Sequence, residues 1–167
     1  MESSYVPNPL QPNGMGGVYP DSDIQVPFHT HDGINSPVIT GGGGGDRGVQ
    51  CILFNFNRGI VTGDGKMYIH IDERLANLSL KDVHAEVVTA GTTGTLDIQI
   101  ANVNNGTDML STKLTIDSGE TGSDTAATPA IINSVNAGVA LNDVLRIDID
   151  AVQSTAPQGL IVTLGVG

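Results

Sequence analysis

The chain has 167 residues and a formal net charge of −11 at pH 7, from 18 acidic and 7 basic side chains. Residues 1–48 hold five acids and one arginine, and residues 49–167 hold the other thirteen acids and six bases. Binding of phosphate backbones requires a basic surface, so we expect no nucleic-acid partner. No apolar stretch approaches the roughly 20 residues that span a bilayer, and the N-terminus lacks a basic start followed by an apolar core. We therefore expect no membrane segment, no membrane partner and no secretion signal.

Residues 1–40 are predicted to form an extended anchoring arm. Residues 1–27 contain five of the eight prolines and almost no apolar clustering. Each proline fixes φ, removes a backbone donor and biases the preceding residue toward extended conformations. Such a segment buries too little apolar surface to offset its own ordering entropy. We expect it to become ordered only against a partner.

Within the arm, His29 and His31 are the candidate metal ligands. In an extended segment, positions i and i+2 project from the same face, so both imidazoles can point at one object. Three chains that meet on a threefold axis would bring six imidazoles together, a set that suits a transition metal such as iron, nickel or zinc. The alternative interpretation is a polar turn set by Asp32-Gly33, in which both histidines are only hydrogen-bonded.

Residues 41–48 are predicted to be a glycine-rich linker. Residues 41–45 are all glycine, and the r.m.s. reach of such a coil is about 12 Å. The linker would let the arm and the following domain adopt different orientations.

Residues 49–167 are predicted to fold as an all-β domain, a jelly-roll-like antiparallel β-sandwich. Apolar and polar side chains alternate with a period of two, which is typical of half-buried strands. No tryptophan is present and no aromatic residue follows Tyr68, so the core must be packed from Val, Ile, Leu and Ala. Short helical turns are expected only within residues 72–80 and 124–137. The predicted strands, separated by turn-forming residues, are 49–57, 66–71, 83–90, 95–101, 110–116, 144–150 and 159–166.

Cys51 lies inside the apolar run of residues 49–54 and is the single cysteine of the chain. A lone cysteine excludes a disulfide framework within one chain. We expect Cys51 to be a small buried hydrophobe.

Further polar residues of the domain suggest little chemistry. Asp148 and Asp150 share a strand face and Asp97 lies on a strand of similar pattern, but no loop carries the spaced acidic ligands of a calcium motif. A solvated polar face is the favoured interpretation. His70 and His84 have strand-like surroundings, and no G-x-S-x-G elbow supplies a nucleophile. We expect no catalytic residue, no cofactor-binding residue and no enzymatic activity.

Two stretches resemble proteins of tailed bacteriophages. Residues 28–37, Phe-His-Thr-His-Asp-Gly-Ile-Asn-Ser-Pro, resemble the H-x-H-D/N-G-x-x-S-P segment of many tailed-phage structural proteins. Paired histidines at that spacing are similar to those that bind iron along trimeric tail-fibre shafts. Residues 83–166, half of the chain, look like a β-sandwich module that recurs in phage fibres and head-associated proteins. The segments that carry this second resemblance include Thr89-Ala90-Gly91-Thr92-Thr93-Gly94, Thr115-Ile116-Asp117-Ser118-Gly119-Glu120 and Ile147-Asp148-Ile149-Asp150-Ala151-Val152.

The resemblance implies a non-enzymatic structural component of the virion, assembled as a homotrimer. Residues 1–40 would anchor it to other virion proteins of the capsid or tail, and the sandwich would be displayed as a decoration, a head fibre or a short fibre knob. Fibre shafts usually carry several histidine pairs, whereas this chain has one, which favours the short knob. The alternative is a tail-fibre or spike adhesin whose loops, such as residues 119–128, bind a receptor or glycan on the host surface.

Overall fold

The computed structural model of the chain describes residues 38–40 and 46–167. This part contains no α-helix, a single 3-10 turn at Ser123–Thr125 and eleven β-strands. In chain order the strands are β1 (Val38–Thr40), β2 (Arg47–Gly59), β3 (Gly63–His70), β4 (Leu80–Thr89), β5 (Leu96–Asn102), β6 (Thr107–Asp108), β7 (Leu110–Thr112), β8 (Leu114–Ile116), β9 (Ile131–Ile132), β10 (Val144–Ala151) and β11 (Gln158–Val166).

The strands form two antiparallel sheets and a small ribbon. The first sheet has the order β1-β2-β11-β4, and the second has the order β3-β10-β5, with β6 and β8 sharing the far edge of β5. Strands β7 and β9 form a separate two-stranded ribbon. Every strand pairing among the described residues is antiparallel. The predicted all-β antiparallel sandwich is confirmed, while the arm ahead of β1 lies outside the described residues.

The core is built from the alternating aliphatic residues of the central strands. In the second sheet, Ile147 of β10 is paired with Ile100 of β5, and Ile149 is paired with Ile98. All four side chains are at most 1% exposed. Phe54 is the one aromatic residue in the buried core of the described part. The core is thus made mainly of Val, Ile, Leu and Ala, as predicted, and Phe54, Cys51 and Met109 are its other members. Its sheet packing follows from the fit of branched side chains to a pleated surface.

The predicted strand at 110–116 is in fact two strands, β7 and β8. Strand β7 leaves β5 to pair with β9, and β8 then returns to pair with Leu96–Ile98 of β5. The side chain of Gln99 fills the resulting gap: its Nε2 donates to the Leu110 carbonyl at 3.2 Å, and its Oε1 accepts from the Ile100 amide at 2.9 Å. The Gln99 side chain thus replaces the missing strand pairing. Because this replacement is made by a polar side chain, the apolar pattern of residues 110–116 did not indicate the interruption.

The first sheet extends further toward the N-terminus than the sequence indicates. Strand β1 pairs with β2 through Val38↔Gln50, Ile39↔Val49 and Thr40↔Gly48. Arg47 and Gly48, which we assigned to the linker, belong to β2. A three-residue strand is too short to show a period of two, which explains why β1 was not predicted.

We predict that Gly159→Ala destabilises the domain by at least about 1 kcal/mol. Gly159 lies in β11 with a φ of +66°, and a Cβ there would lie 2.7 Å from the Cα of Phe56. The control is Gly122→Ala, because Gly122 has a φ of −132° and no heavy atom within 4 Å of its would-be Cβ. Urea unfolding of both variants measures the difference, and equal losses would contradict this account of Gly159.

Candidate functional site

The predicted metal ligands His29 and His31 lie outside the described residues, so this site stays a prediction. Within residues 38–40 and 46–167, no group of three or more His, Cys, Asp or Glu side chains is placed to hold a metal ion. The functional surfaces that the structure does describe are a carboxylate-rich sheet face, a histidine cluster and two surface clefts.

Asp148 is buried, which corrects the prediction of a solvated polar face. Its side chain is 4% exposed and lies on the outer side of β10. Oδ1 accepts a hydrogen bond from the Gly65 amide at 2.7 Å. Oδ2 accepts two hydrogen bonds from the Arg146 guanidinium, at 3.0 Å from Nε and 2.8 Å from Nη2. Asp148 therefore joins β10 to the start of β3, since a buried carboxylate needs such donors to offset its desolvation.

The other two carboxylates of this face, those of Asp97 and Asp150, form no metal-binding group with Asp148. A bulge follows Ile149, because Ile149 is paired with Ile98 whereas Ala151 is paired with Asp97. Asp150 beyond the bulge forms an ion pair with Lys113 at 2.9 Å, and this hydrogen bond raises the pKa of Lys113. Each carboxylate of β10 thus has its own cation, an arrangement that does not create a calcium site.

His84 of β4 is the centre of a polar cluster that the sequence did not predict. Its Nδ1 lies 2.8 Å from Oδ1 of Asp124, and its Nε2 lies 3.5 Å from Oε1 of Glu86. The hydroxyl of Ser123 lies 3.4 Å from the same Nδ1 and accepts the Ala85 amide hydrogen bond at 2.9 Å. The 3-10 turn and β4 are about forty residues apart in the chain, so no local sequence signal indicates this contact.

The geometry of the His84 cluster does not activate a nucleophile. Serine activation requires the hydroxyl at one ring nitrogen and a carboxylate at the other. Here the Ser123 hydroxyl and the Asp124 carboxylate both approach Nδ1. When Nδ1 donates its proton to Asp124, it has no lone pair left to accept the proton of the serine. Nε2 faces a second carboxylate, that of Glu86. The contacts of the cluster instead hold the 3-10 turn against the outer edge of β4.

A first cleft, the β4 cleft, opens beside this turn and has a volume of about 300 Å³. Its apolar lining is Val83, Leu114, Pro129, Ala130 and Ile132, and its polar lining is Lys81, Asp82, Ser123 and Asp124.

The loop of residues 119–128 beside the β4 cleft is held by backbone hydrogen bonds. The Val87 amide donates to the Thr121 carbonyl at 2.8 Å, and the Ala127 amide donates to the Asp117 carboxylate at 2.8 Å. An isolated bridge also pairs Glu86 with Gly122. This loop therefore covers the outer edge of β4.

A second cleft, the β2 cleft, lies on the opposite side of the sandwich between β2 and β3 and has a volume of about 310 Å³. Leu53 and Phe54 are its buried residues, and its lining contains the cations Arg58 and Lys66 but no carboxylate. The remaining lining residues are Asn55, Val61 and Gly65. Two of the seven cations of a strongly acidic chain thus lie around one cleft.

Comparisons with known proteins identify no relative: no protein-family model, no curated protein and no solved structure has a significant match to the chain. In the part of the chain that the structure describes, no helix is both long and apolar enough to cross a bilayer. The functional argument therefore depends on the chain's own residues.

We predict that Asp148→Ala costs about 2 kcal/mol of stability, because the Gly65 amide and the Arg146 guanidinium lose their acceptor. The matched control is Asp72→Ala. Asp72 also pairs with an arginine two residues away, Arg74, but its side chain is 35% exposed and that of Arg74 is 67% exposed. An exposed pair contributes about 0.5 kcal/mol or less, although Arg74 lowers the pKa of Asp72. Urea unfolding at pH 7 measures both losses, and a loss for Asp148 as small as the control would contradict the role assigned to it.

Cys51 is fully buried, as predicted, and burial raises the pKa of its thiol to about 12. An unfolded thiol ionises above about pH 8.5, so unfolding becomes more favourable as the pH rises above that value. We predict that this group removes about 1–2 kcal/mol of stability between pH 8 and pH 10. The Cys51→Ala variant lacks this contribution, so its stability should fall less over the same interval. If urea unfolding showed the same pH dependence of stability for the two proteins, the contribution assigned to Cys51 would be contradicted.

Proposed function

We propose that the protein is a non-enzymatic structural component of a tailed-phage virion. In this proposal residues 1–40 anchor the chain to the capsid or tail, and the sandwich is displayed on the particle as a decoration, a head fibre or a short fibre knob. The observation that carries the proposal is that the described domain buries its own core while the preceding residues join it at the edge of a sheet. The resemblance of residues 28–37 and 83–166 to phage structural proteins supports the same role.

Within residues 38–40 and 46–167, the two sheets of the domain share one buried core. The buried aliphatic side chains of β2, β4 and β11 face those of β5 and β10 in one continuous cluster. The two clefts are at the small end of the range of ligand pockets, which spans roughly 300–1,000 Å³. A compact domain with shallow clefts suits a displayed structural module.

The position of β1 at a sheet edge is compatible with an arm that reaches a neighbour. Strand β1 forms the outer edge of the first sheet, so the chain ahead of Val38 starts at the rim of the sandwich rather than between its layers. Thirty-seven residues can span at most about 120–130 Å when fully extended. The proposed arm is long enough to cross a neighbouring capsid or tail subunit.

The proposal includes a homotrimer and a metal. In such a trimer, His29 and His31 of three copies would surround the threefold axis and bind iron, nickel or zinc. Other virion proteins would contact residues 1–40, and the assembled protein would reside in the virion. The net charge of −11 supports docking on a basic protein surface rather than on nucleic acid.

A second candidate function is a tail-fibre or spike adhesin, which the β4 cleft favours. The cleft combines apolar walls with the charged side chains of Lys81, Asp82 and Asp124, and an ordered loop flanks it. Such a surface suits a polar ligand with an apolar face, such as a host receptor or glycan. In this case Lys81→Ala with Asp82→Ala would remove cell binding and leave incorporation into particles intact.

We predict that deletion of residues 1–37 abolishes incorporation into particles and leaves the domain folded. The deletion keeps β1, because its three residues pair with β2. Incorporation is measured by complementation with purified particles, and folding by circular dichroism and urea unfolding. The control is the full-length Lys81→Ala/Asp82→Ala protein, which should still be incorporated. A truncated protein that decorates particles as well as the full chain would contradict the anchoring role.

A further inference from the structure

The two outer edges of the first sheet are covered to different extents. The edge of β4 is covered by residues 121–123, through the Val87 and Ala85 amide hydrogen bonds and the bridge between Glu86 and Gly122. The edge of β2 is covered by β1 at Gly48, Val49 and Gln50 alone. Among the described residues, no strand pairs with the edge of β2 from residue 51 to residue 58.

This open edge is long and partly apolar. Ile52 is 42% exposed and Phe56 is 70% exposed, and Val61 beside them is 56% exposed. Unpaired strand edges of this length are templates for pairing with another strand, and proteins normally cover them or place charges on them. The β2 cleft, with Leu53 and Phe54 in its floor, runs beside the same edge.

We propose that residues 28–37 of the same chain cover this edge by extending β1 along β2 as an antiparallel strand. The proposal does not depend on the virion role, for which residues 1–27 would remain as the anchor. It rests on the open edge, on the register of β1 and on charge complementarity at the β2 cleft.

The register of β1 directs the preceding residues along the open edge. The numbers of each β1–β2 pair add up to 88, as in Val38↔Gln50, and continuation of that sum places Ser36 opposite Ile52. Strand β2 contains one extra residue at Leu53 relative to β11, since Ile161 pairs with Ile52 and Leu160 pairs with Phe54, and a larger bulge follows between Phe54 and Gly59, since Gly59 pairs with Gln158. Continuation along the same edge past these two bulges would carry Ile34 and then Asp32 into the stretch of residues 54–58.

Charge complementarity supports the same alignment. Asp32 is the single acidic residue between positions 24 and 40. The alignment brings it to the stretch of β2 that contains Arg58, which forms no ion pair with the described residues. Lys66 lies across the β2 cleft, and its Nζ donates to the Thr62 carbonyl at 2.7 Å. A carboxylate entering this cleft meets two cations and no lining acid.

A disulfide trap in the full-length chain tests whether residues 28–37 occupy the open edge of β2 and whether they come from the same chain. Ser36→Cys is combined with Ile52→Cys in a Cys51→Ala background, because residues opposite each other in a strand pair are close enough for a disulfide. We expect rapid oxidation to an intramolecular disulfide, seen as monomeric mass under denaturing, non-reducing conditions. The control pair, Ser22→Cys with Ile52→Cys, should oxidise at least tenfold more slowly. Covalent dimers would overturn the proposal in favour of a second copy, and oxidation no faster than the control would overturn it in favour of an open edge.

Hydrogen exchange on the unmodified full-length chain gives a readout that does not depend on new cysteines. Amides of residues 51–57 that point away from β11 should exchange at least tenfold more slowly than in a full-length Ile34→Pro/Ser36→Pro variant, whose prolines cannot donate to β2. Amides of β5 should exchange at equal rates in both proteins. Fast exchange of the β2 amides in the unmodified chain would overturn the proposal. Since particle incorporation is not measured here, the proposal can fail while the virion role stands.

Discussion

The burial of the aliphatic faces of β10 and β11 is the constraint on which the rest of the fold depends. These last two long strands occupy the middle of the two sheets: β10 lies between β3 and β5, and β11 lies between β2 and β4. Their inward residues, such as Ile147 and Val162, are fully buried. Neither sheet can close until the C-terminal residues arrive, so folding requires contacts between distant parts of the chain. Strand β1, by contrast, adds only to an outer edge.

The strands that carry this core could be predicted from the sequence because burial of one face imposes a period of two. The alternation of Leu145, Ile147 and Ile149 with polar residues gave β10 to within one residue. Elements that depend on pairing rather than on burial could not be predicted. Strands β1, β6 and β9 have two or three residues each, and the division between β7 and β8 depends on the side chain of Gln99.

The polar sites were harder to predict, because they are created by contacts between distant segments. Asp148 has the same sequence pattern as exposed Asp150, and only the bulge after Ile149 and the approach of Gly65 bury it. The His84 cluster likewise requires the 3-10 turn to lie on the edge of β4. That turn covers one edge of the first sheet, whereas β1 covers the other edge only at Gly48, Val49 and Gln50. The asymmetry of the two edges connects the fold to the proposed role of the N-terminal residues.

Native-state hydrogen exchange of the full-length chain tests the central claim most directly. If β10 and β11 hold both sheets on one core, their amides should exchange only through global unfolding, with one common free energy that matches the value from urea unfolding. The amides of β1 should exchange through smaller, local openings. Markedly different free energies for the amides of β10 and β11 would show that the two sheets open independently, which would contradict the account.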